Sequence, residues 1–205
     1  MESPVKIAVL VSGGGTNLQA LIDAEASGKL HSGKLSLVVS SKEGAFALER
    51  AARAGIPSYV VTKAACGSGE AFEEQILKLL REYGIELIVL AGFMSILSAD
   101  FTAAYPNRIL NVHPSLIPSF CGAGFYGLRV HEAALAYGVK VTGATVHFVN
   151  EVPDGGKIIL QKAVEVRDGD TPEILQRRVM EQAEWQLLPA AAELVSAKIR
   201  ADEQE

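Results

Sequence analysis

Short apolar runs alternate with longer amphipathic stretches along this chain. Lys6–Val11, Leu35–Ser40, Ser58–Val61, Leu87–Ala91 and Arg108–Val112 are nearly continuous apolar runs. Such runs predict strands of a parallel sheet covered on both faces. Between them, Thr16–Ala26 spaces Leu18, Leu21 and Ile22 as a helix would, and Ala45–Ala54 behaves alike. Ala71–Tyr83 puts Phe72, Ile76, Leu79 and Leu80 on one stripe. Gly28, Gly55 and Gly84 follow these three stretches as helix stop signals. The order predicts an α/β fold: one mostly parallel, twisted sheet with helices on both faces.

After Val112 the pattern changes. Residues 113–127 hold two prolines and three glycines and read as a functional loop. A helix is expected over Leu128–Tyr137. Val139–Val149 and Lys157–Val166 then read as partner strands joined through Pro153-Asp154-Gly155-Gly156. A long final helix is expected over Thr171–Ile199, with Asp170 as N-cap, Pro172 in the first turn and a kink at Pro189. Arg200–Glu205 reads as a frayed tail. No repeat or low-complexity linker interrupts the chain, so one domain is expected over 1–205, with a core at about 5–194.

Composition narrows the function. The 205 residues carry 19 Lys plus Arg against 24 Asp plus Glu, a net charge of −5. That balance argues against a protein that grips nucleic acid through a basic face, although it permits a local anion site. Two cysteines, Cys66 and Cys121, make neither a disulfide framework nor a metal-ligand pattern, and suggest a reducing compartment. The start shows no signal-peptide pattern, and the longest apolar run, Leu87–Met94, falls well short of the ~20 residues of a membrane helix. The expectation is a soluble, cytoplasmic protein.

Ser12-Gly13-Gly14-Gly15-Thr16-Asn17-Leu18 stands between a strand and a helix. Glycines admit a ligand close to the backbone, and the helix start offers free N–H groups and a positive dipole end. A phosphate could sit there. A plain glycine turn capped by Thr16 would look the same. The loop is neither a Walker loop nor a dinucleotide fingerprint, and Ser40-Ser41 stand where a ribose-binding acid would end the second strand.

Asn111 and His113 alternate to the same side at the end of the fifth strand, the edge where α/β sheets bind ligands. An amide can stabilise an oxyanion, and an imidazole titrates near neutrality. A capping Asn and a buried, satisfied His would fit the same pattern. Asp154, 41 residues on, is either a turn former or the carboxylate that holds His113. His31 reads as solvent-exposed, His131 lies on a helix, and His147 faces away from Val146 and Phe148. The histidines and cysteines form no metal set.

Four segments together resemble the phosphoribosylglycinamide formyltransferase family. They are Ser12–Leu18; Leu90-Ala91-Gly92-Phe93-Met94-Ser95-Ile96-Leu97; Asn111–Pro118; and Gly143–Val149 followed by Asp154-Gly155-Gly156. The likeness runs from about Val5 to Leu194. It implies a Rossmann-like formyltransferase fold and transfer of a formyl group from 10-formyltetrahydrofolate, as cosubstrate, to the amine of glycinamide ribonucleotide in purine biosynthesis. It implies that Gly15, Thr16 and Asn17 hold the phosphate and Glu184 the ribose. Met94, Ser95, Ile96 and Leu97 match the folate segment, and Asn111, His113 and Asp154 the catalytic trio, with Asn111 also at the folate. The partners implied are these small molecules, with no metal, nucleic acid or membrane, in a monomer or homodimer.

Many members of that family carry a basic residue at Ser95 and an arginine in the segment Ala65–Gly69, and this chain has neither. The loop Phe120–Tyr126 is longer than in some members and reads as a mobile lid. Pro153 stands where an aliphatic residue is usual. Three other functions fit parts of the pattern. A methionyl-tRNA formyltransferase would need a further domain and basic charge. A formyltetrahydrofolate deformylase lacks the glycine loop and typically carries an N-terminal regulatory domain. A non-enzymatic nucleotide-binding module would leave the Asn111–His113–Asp154 set unexplained.

Overall fold

A computed structural model describes residues 3–202. Its centre is a seven-stranded sheet of β1 (Val5–Val11), β2 (Gly33–Ser40), β3 (Ser58–Val60), β4 (Leu87–Leu90), β5 (Ile109–His113), β6 (Val141–Phe148) and β7 (Ile158–Glu165). The spatial order is β3-β2-β1-β4-β5-β6-β7. The first five strands run parallel; β6 is antiparallel to β5, and β7 to β6. The chain builds outward from β1 in one direction and restarts at β4 in the other. The carboxyl ends of β1 and β4 therefore flank a topological switch point, where such sheets bind ligands.

The helices are α1 (Thr16–Ala26), α2 (Phe46–Arg53), α3 (Lys63–Cys66), α4 (Gly69–Glu82), α5 (Ala99–Ala104), α6 (Leu128–Tyr137), α7 (Pro172–Val179) and α8 (Trp185–Asp202). Alternation along β1 splits the core in two. Ile7, Val9 and Val11 pack with Leu18 and Leu21 of α1 and with Leu188, Ala191 and Val195 of α8. Ala8 and Leu10 pack with Phe72, Ile76 and Leu80 of α4 and Phe101 of α5. Each large side chain buried this way contributes about 1.5–3 kcal/mol, so the two layers hold the sheet edge rigid beneath the loops it carries.

Three expectations for the last third need correction. The N-cap of α7 is Thr171, whose side chain accepts from the Ile174 amide; Asp170 instead receives two bonds from Arg178, at 2.5 and 2.7 Å. A buried-side arginine captures the carboxylate before the helix end can use it. The helix over 171–199 is not continuous: residues Met180–Glu184 form one π-helical turn between α7 and α8. Gln186 Nε2 donates to the Glu181 carbonyl, 3.2 Å away, beside that wide turn. Pro189, the expected site of a kink, lies inside α8. Helix also extends through Arg200 to Asp202, where fraying was expected; residues 203–205 lie outside the described part. The short helices α3 and α5 escaped the periodicity because neither is long enough to show a stripe.

Candidate active site

The glycine loop ends in an N-cap at Gly15, with φ 70° and no side-chain cap, so Thr16 is the first helical residue rather than the cap. No side chain therefore takes the orphan N–H groups at the start of α1. Asn17 is buried; its Nδ2 donates to Glu184 Oε2 at 2.8 Å, while its Oδ1 is buried without a hydrogen-bond partner. The Ser12 hydroxyl lies 2.6 Å from Ser41 Oγ and accepts from the Met94 amide at 2.9 Å. It ties the loop after β1 to the segment after β4.

Glu184 is the last residue of the π turn, and only 7% of its surface is exposed. The extra residue in that turn changes which side chains face inward, a device common at functional sites. Burial pushes the Glu184 carboxyl above its usual range; the Asn17 bond opposes this only in part.

Asn111 and His113 lie at the carboxyl end of β5, and the antiparallel register sets His147 opposite Asn111 and Thr145 opposite His113. Asp154 arrives from the turn between β6 and β7, in the left-handed region at φ 56°, which aspartate tolerates better than most residues. Gly156 allows this turn, because a Cβ there would overlap the Phe148 carbonyl. The Asp154 carboxylate reaches two imidazoles: His113 Nδ1 at 3.5 Å from Oδ2 and His147 Nε2 at 3.5 Å from Oδ1. These are ion-pair separations rather than tight hydrogen bonds. Burial alone would raise the Asp154 pKa; His147, the Gly122 amide at 2.8 Å and the nearby His113 outweigh it and hold the group below its usual range.

Alternation alone does not reveal the contacts of His147. Its Nδ1 donates to the Phe148 carbonyl at 2.8 Å, and its Nε2 lies 3.2 Å from Asn111 Nδ2. A carbonyl only accepts, so Nδ1 carries a proton. In the neutral ring Nε2 accepts from the Asn111 amide; in the charged ring it faces Asp154 as a donor. One signal was available: β6 neighbours β5 in sequence, and a histidine on it can meet whatever β5 carries.

His113 Nε2 donates to the Phe120 carbonyl at 2.8 Å. With the Gly122–Asp154 bond, this pins the loop after β5 at two points to the histidine and the carboxylate. Cys121 lies between those points and its thiol contacts the Pro118 carbonyl at 3.3 Å; burial, reinforced by the Asp154 charge, raises its pKa.

The predicted folate segment follows β4. Leu97 is buried in the α4 side of the core, Ser95 is half-buried, and Met94 and Ile96 are 53% and 70% exposed. Met94 and Ile96 thus expose apolar side chains on a segment tied to the glycine loop by the bond from the Met94 amide to Ser12. Of the remaining histidines, His31 is exposed and pairs with Glu193 at 2.8 Å. His131 is fully buried, with both ring nitrogens unpartnered, and burial together with the His113 charge lowers its pKa to about 4. Among the described residues no group of three or more His, Cys, Asp or Glu could hold a metal, and no helix is long and apolar enough to cross a membrane.

Known proteins resemble this chain in sequence and fold. The formyl transferase family model matches residues 5–192. A trifunctional purine biosynthetic protein adenosine-3 from Gallus gallus is 48% identical over 193 residues, 94% of this chain but 18% of that protein; the chain thus spans under a fifth of these trifunctional relatives. The phosphoribosylglycinamide formyltransferase of Escherichia coli is 42% identical, over 87% of this chain and 81% of that one. The glycinamide ribonucleotide transformylase 1 of Symbiobacterium toebii superimposes with a TM-score of 0.89 at 43% identity, over 95% of this chain and 89% of that one. The family model spans nearly the whole chain, which therefore belongs to the formyl transferase family.

Proposed function

We propose that this chain transfers the formyl group of 10-formyltetrahydrofolate to the amine of glycinamide ribonucleotide, as in purine biosynthesis. The observation that carries the proposal is the convergence of Asn111, His113 and Asp154 at one sheet edge, flanked by an uncapped glycine loop and an exposed apolar segment. Relatives named for this activity support it.

In this reading the ribonucleotide phosphate rests on Gly15, Thr16 and Asn17, and Glu184 meets the ribose hydroxyls. Met94, Ser95, Ile96 and Leu97 line the folate, the cosubstrate. The substrate amine attacks the formyl carbon and a tetrahedral oxyanion forms. The Asn111 amide and the protonated His113 donate to it; one such donor contributes roughly 2.7–4 kcal/mol in comparable sites. Asp154 stabilises the imidazolium it faces. The proton lost by the amine reaches the folate nitrogen as the carbon–nitrogen bond breaks, leaving formylglycinamide ribonucleotide and tetrahydrofolate. No covalent enzyme intermediate and no metal take part. The missing basic residues at Ser95 and Gly69 weaken contact with the anionic folate tail rather than the chemistry.

The test mixes purified protein with 10-formyltetrahydrofolate, with and without glycinamide ribonucleotide, and follows tetrahydrofolate. Product only with the ribonucleotide is expected. Product without it means a deformylase, and none under either condition overturns the enzymatic reading.

A further inference from the structure

The glycine loop is braced from α2. The Ala47 amide donates to the Gly13 carbonyl at 3.1 Å, and Arg50 Nε donates to the Gly14 carbonyl at 2.9 Å. A trans peptide points its C=O and N–H in opposite directions. These two bonds therefore turn the N–H groups of Gly14 and Gly15 away from α2. Gly15 is fitted tightly against that helix: a Cβ there would come within 2.7 Å of the Ala47 Cβ. At Gly13 and Gly14 a Cβ would meet nothing within 4 Å, so the open side of the loop is the side a ligand can reach.

Arg50 is itself held in place. Its Nη1 donates to Gln19 Oε1 at 2.9 Å, and its guanidinium lies 4.9 Å from the Phe46 ring centroid. With Thr16 and Gln19 it lines one end of a cavity of about 1000 Å³ that extends between α1 and α8. A charged fork is thus fixed beside an uncapped helix start, and next to it the Asn17 Oδ1 is buried and unpartnered.

We propose that Arg50 is a positioning residue for the substrate phosphate: it locks the Gly13–Gly15 peptides with their N–H groups presented and adds a positive charge beside them. This deepens the proposed function and rests on reading the loop as the phosphate site. It also assigns a role to a net-acidic chain's local cation, which the loop motif alone does not include.

The test compares the wild type with Arg50→Met and Arg50→Lys, each with glycinamide ribonucleotide and with the unphosphorylated ribonucleoside. Arg50→Met is expected to raise KM for the ribonucleotide roughly ten-fold or more, the loss typical of one charge-assisted hydrogen bond. kcat, KM for the folate and kcat/KM for the ribonucleoside stay close to wild type. Arg50→Lys keeps the charge but lacks the planar fork, and loses most of the same affinity. A parallel loss on both substrates, or a lysine variant equal to wild type, overturns the proposal. A second arm titrates inorganic phosphate and follows Tm. Wild type is stabilised, and Arg50→Met needs about ten-fold more phosphate for the same rise; equal titrations overturn the proposal. Because this arm involves no formyl transfer, it decides Arg50 even if the catalytic reading fails.

Discussion

Asp154 Oδ1 lies 3.5 Å from His147 Nε2, while its other oxygen lies the same distance from His113 Nδ1. One carboxylate therefore serves two imidazoles, and only one of these belongs to the expected trio. His147 in turn contacts the Asn111 amide. All four side chains form one network, so disturbing any member should reach the proposed oxyanion donors, Asn111 and His113.

Asp154→Asn is expected to lower kcat by roughly 10²-fold or more, the scale of a lost acid–base contribution, because the His113 imidazolium loses its counter-charge. KM for both substrates should change little. Steady-state kinetics on protein with an unchanged circular dichroism spectrum checks this. Near-normal turnover would remove Asp154 from the mechanism.

His147→Phe is expected to cost about ten- to hundred-fold in kcat by freeing the Asn111 amide to rotate, since small misplacements of a reacting group have effects of that size. His147→Asn, which can still hydrogen-bond Asn111, should recover part of the loss. An unaltered rate in the Phe variant would show that Asn111 is oriented by other contacts.

His131 makes the fold acid-sensitive. Its pKa is about 4 in the folded protein against 6.5 for a free imidazole, so the folded state prefers the neutral ring. Stability from this residue is complete above pH 6.5 and falls as protons bind the unfolded chain between 6.5 and about 4. The difference amounts to about 3 kcal/mol. His131→Leu should flatten the dependence of Tm on pH across that window. An equally steep curve in the variant would assign the acid sensitivity elsewhere.

Glu184 has the opposite sign to Asp154. Its raised pKa means that the folded state prefers the protonated carboxyl, so stability falls as pH rises from its ordinary 4.5 towards the elevated folded value, above which the loss is constant. Glu184→Gln should raise Tm at pH 7 while keeping an acceptor for Asn17. The same variant should raise KM for the ribonucleotide, because a neutral amide is the weaker acceptor for ribose hydroxyls. A lower Tm with an unchanged KM would contradict both parts.

The loop Phe120–Tyr126 gains a testable geometry. The Phe120 carbonyl occupies His113 Nε2, the same donor that an oxyanion would use. Binding of a folate analogue should displace this contact and change hydrogen exchange at the Gly122 amide, which bonds Asp154. Identical exchange with and without ligand would mean that the loop is static.

Much of this molecule is legible in one dimension. The five parallel strands fall where the apolar runs stand, and such a run needs no partner to be seen; the antiparallel β6 and β7 fall on the two later stretches that read as partner strands. The glycine loop is legible for the same local reason: strand, glycines and helix start are consecutive. Asn111 and His113 share a face by alternation alone. What could not be read depends on contacts between distant segments. Asp154 meets His113 only because β6 runs antiparallel beside β5 and its turn folds back to that edge. His147 becomes a partner of Asn111 only through the same register. Asp170 has good N-cap chemistry, yet Arg178 takes it, and Thr171 becomes the cap. The π turn that carries Glu184 inward has no periodic signature, and the bond from Arg50 to Gly14 spans 36 residues. Local chemistry thus determined the elements and marked most residues of the candidate site. Register and packing decided which of them touch, because hydrogen bonds and ion pairs act over about 3 Å in space, whatever the separation along the chain.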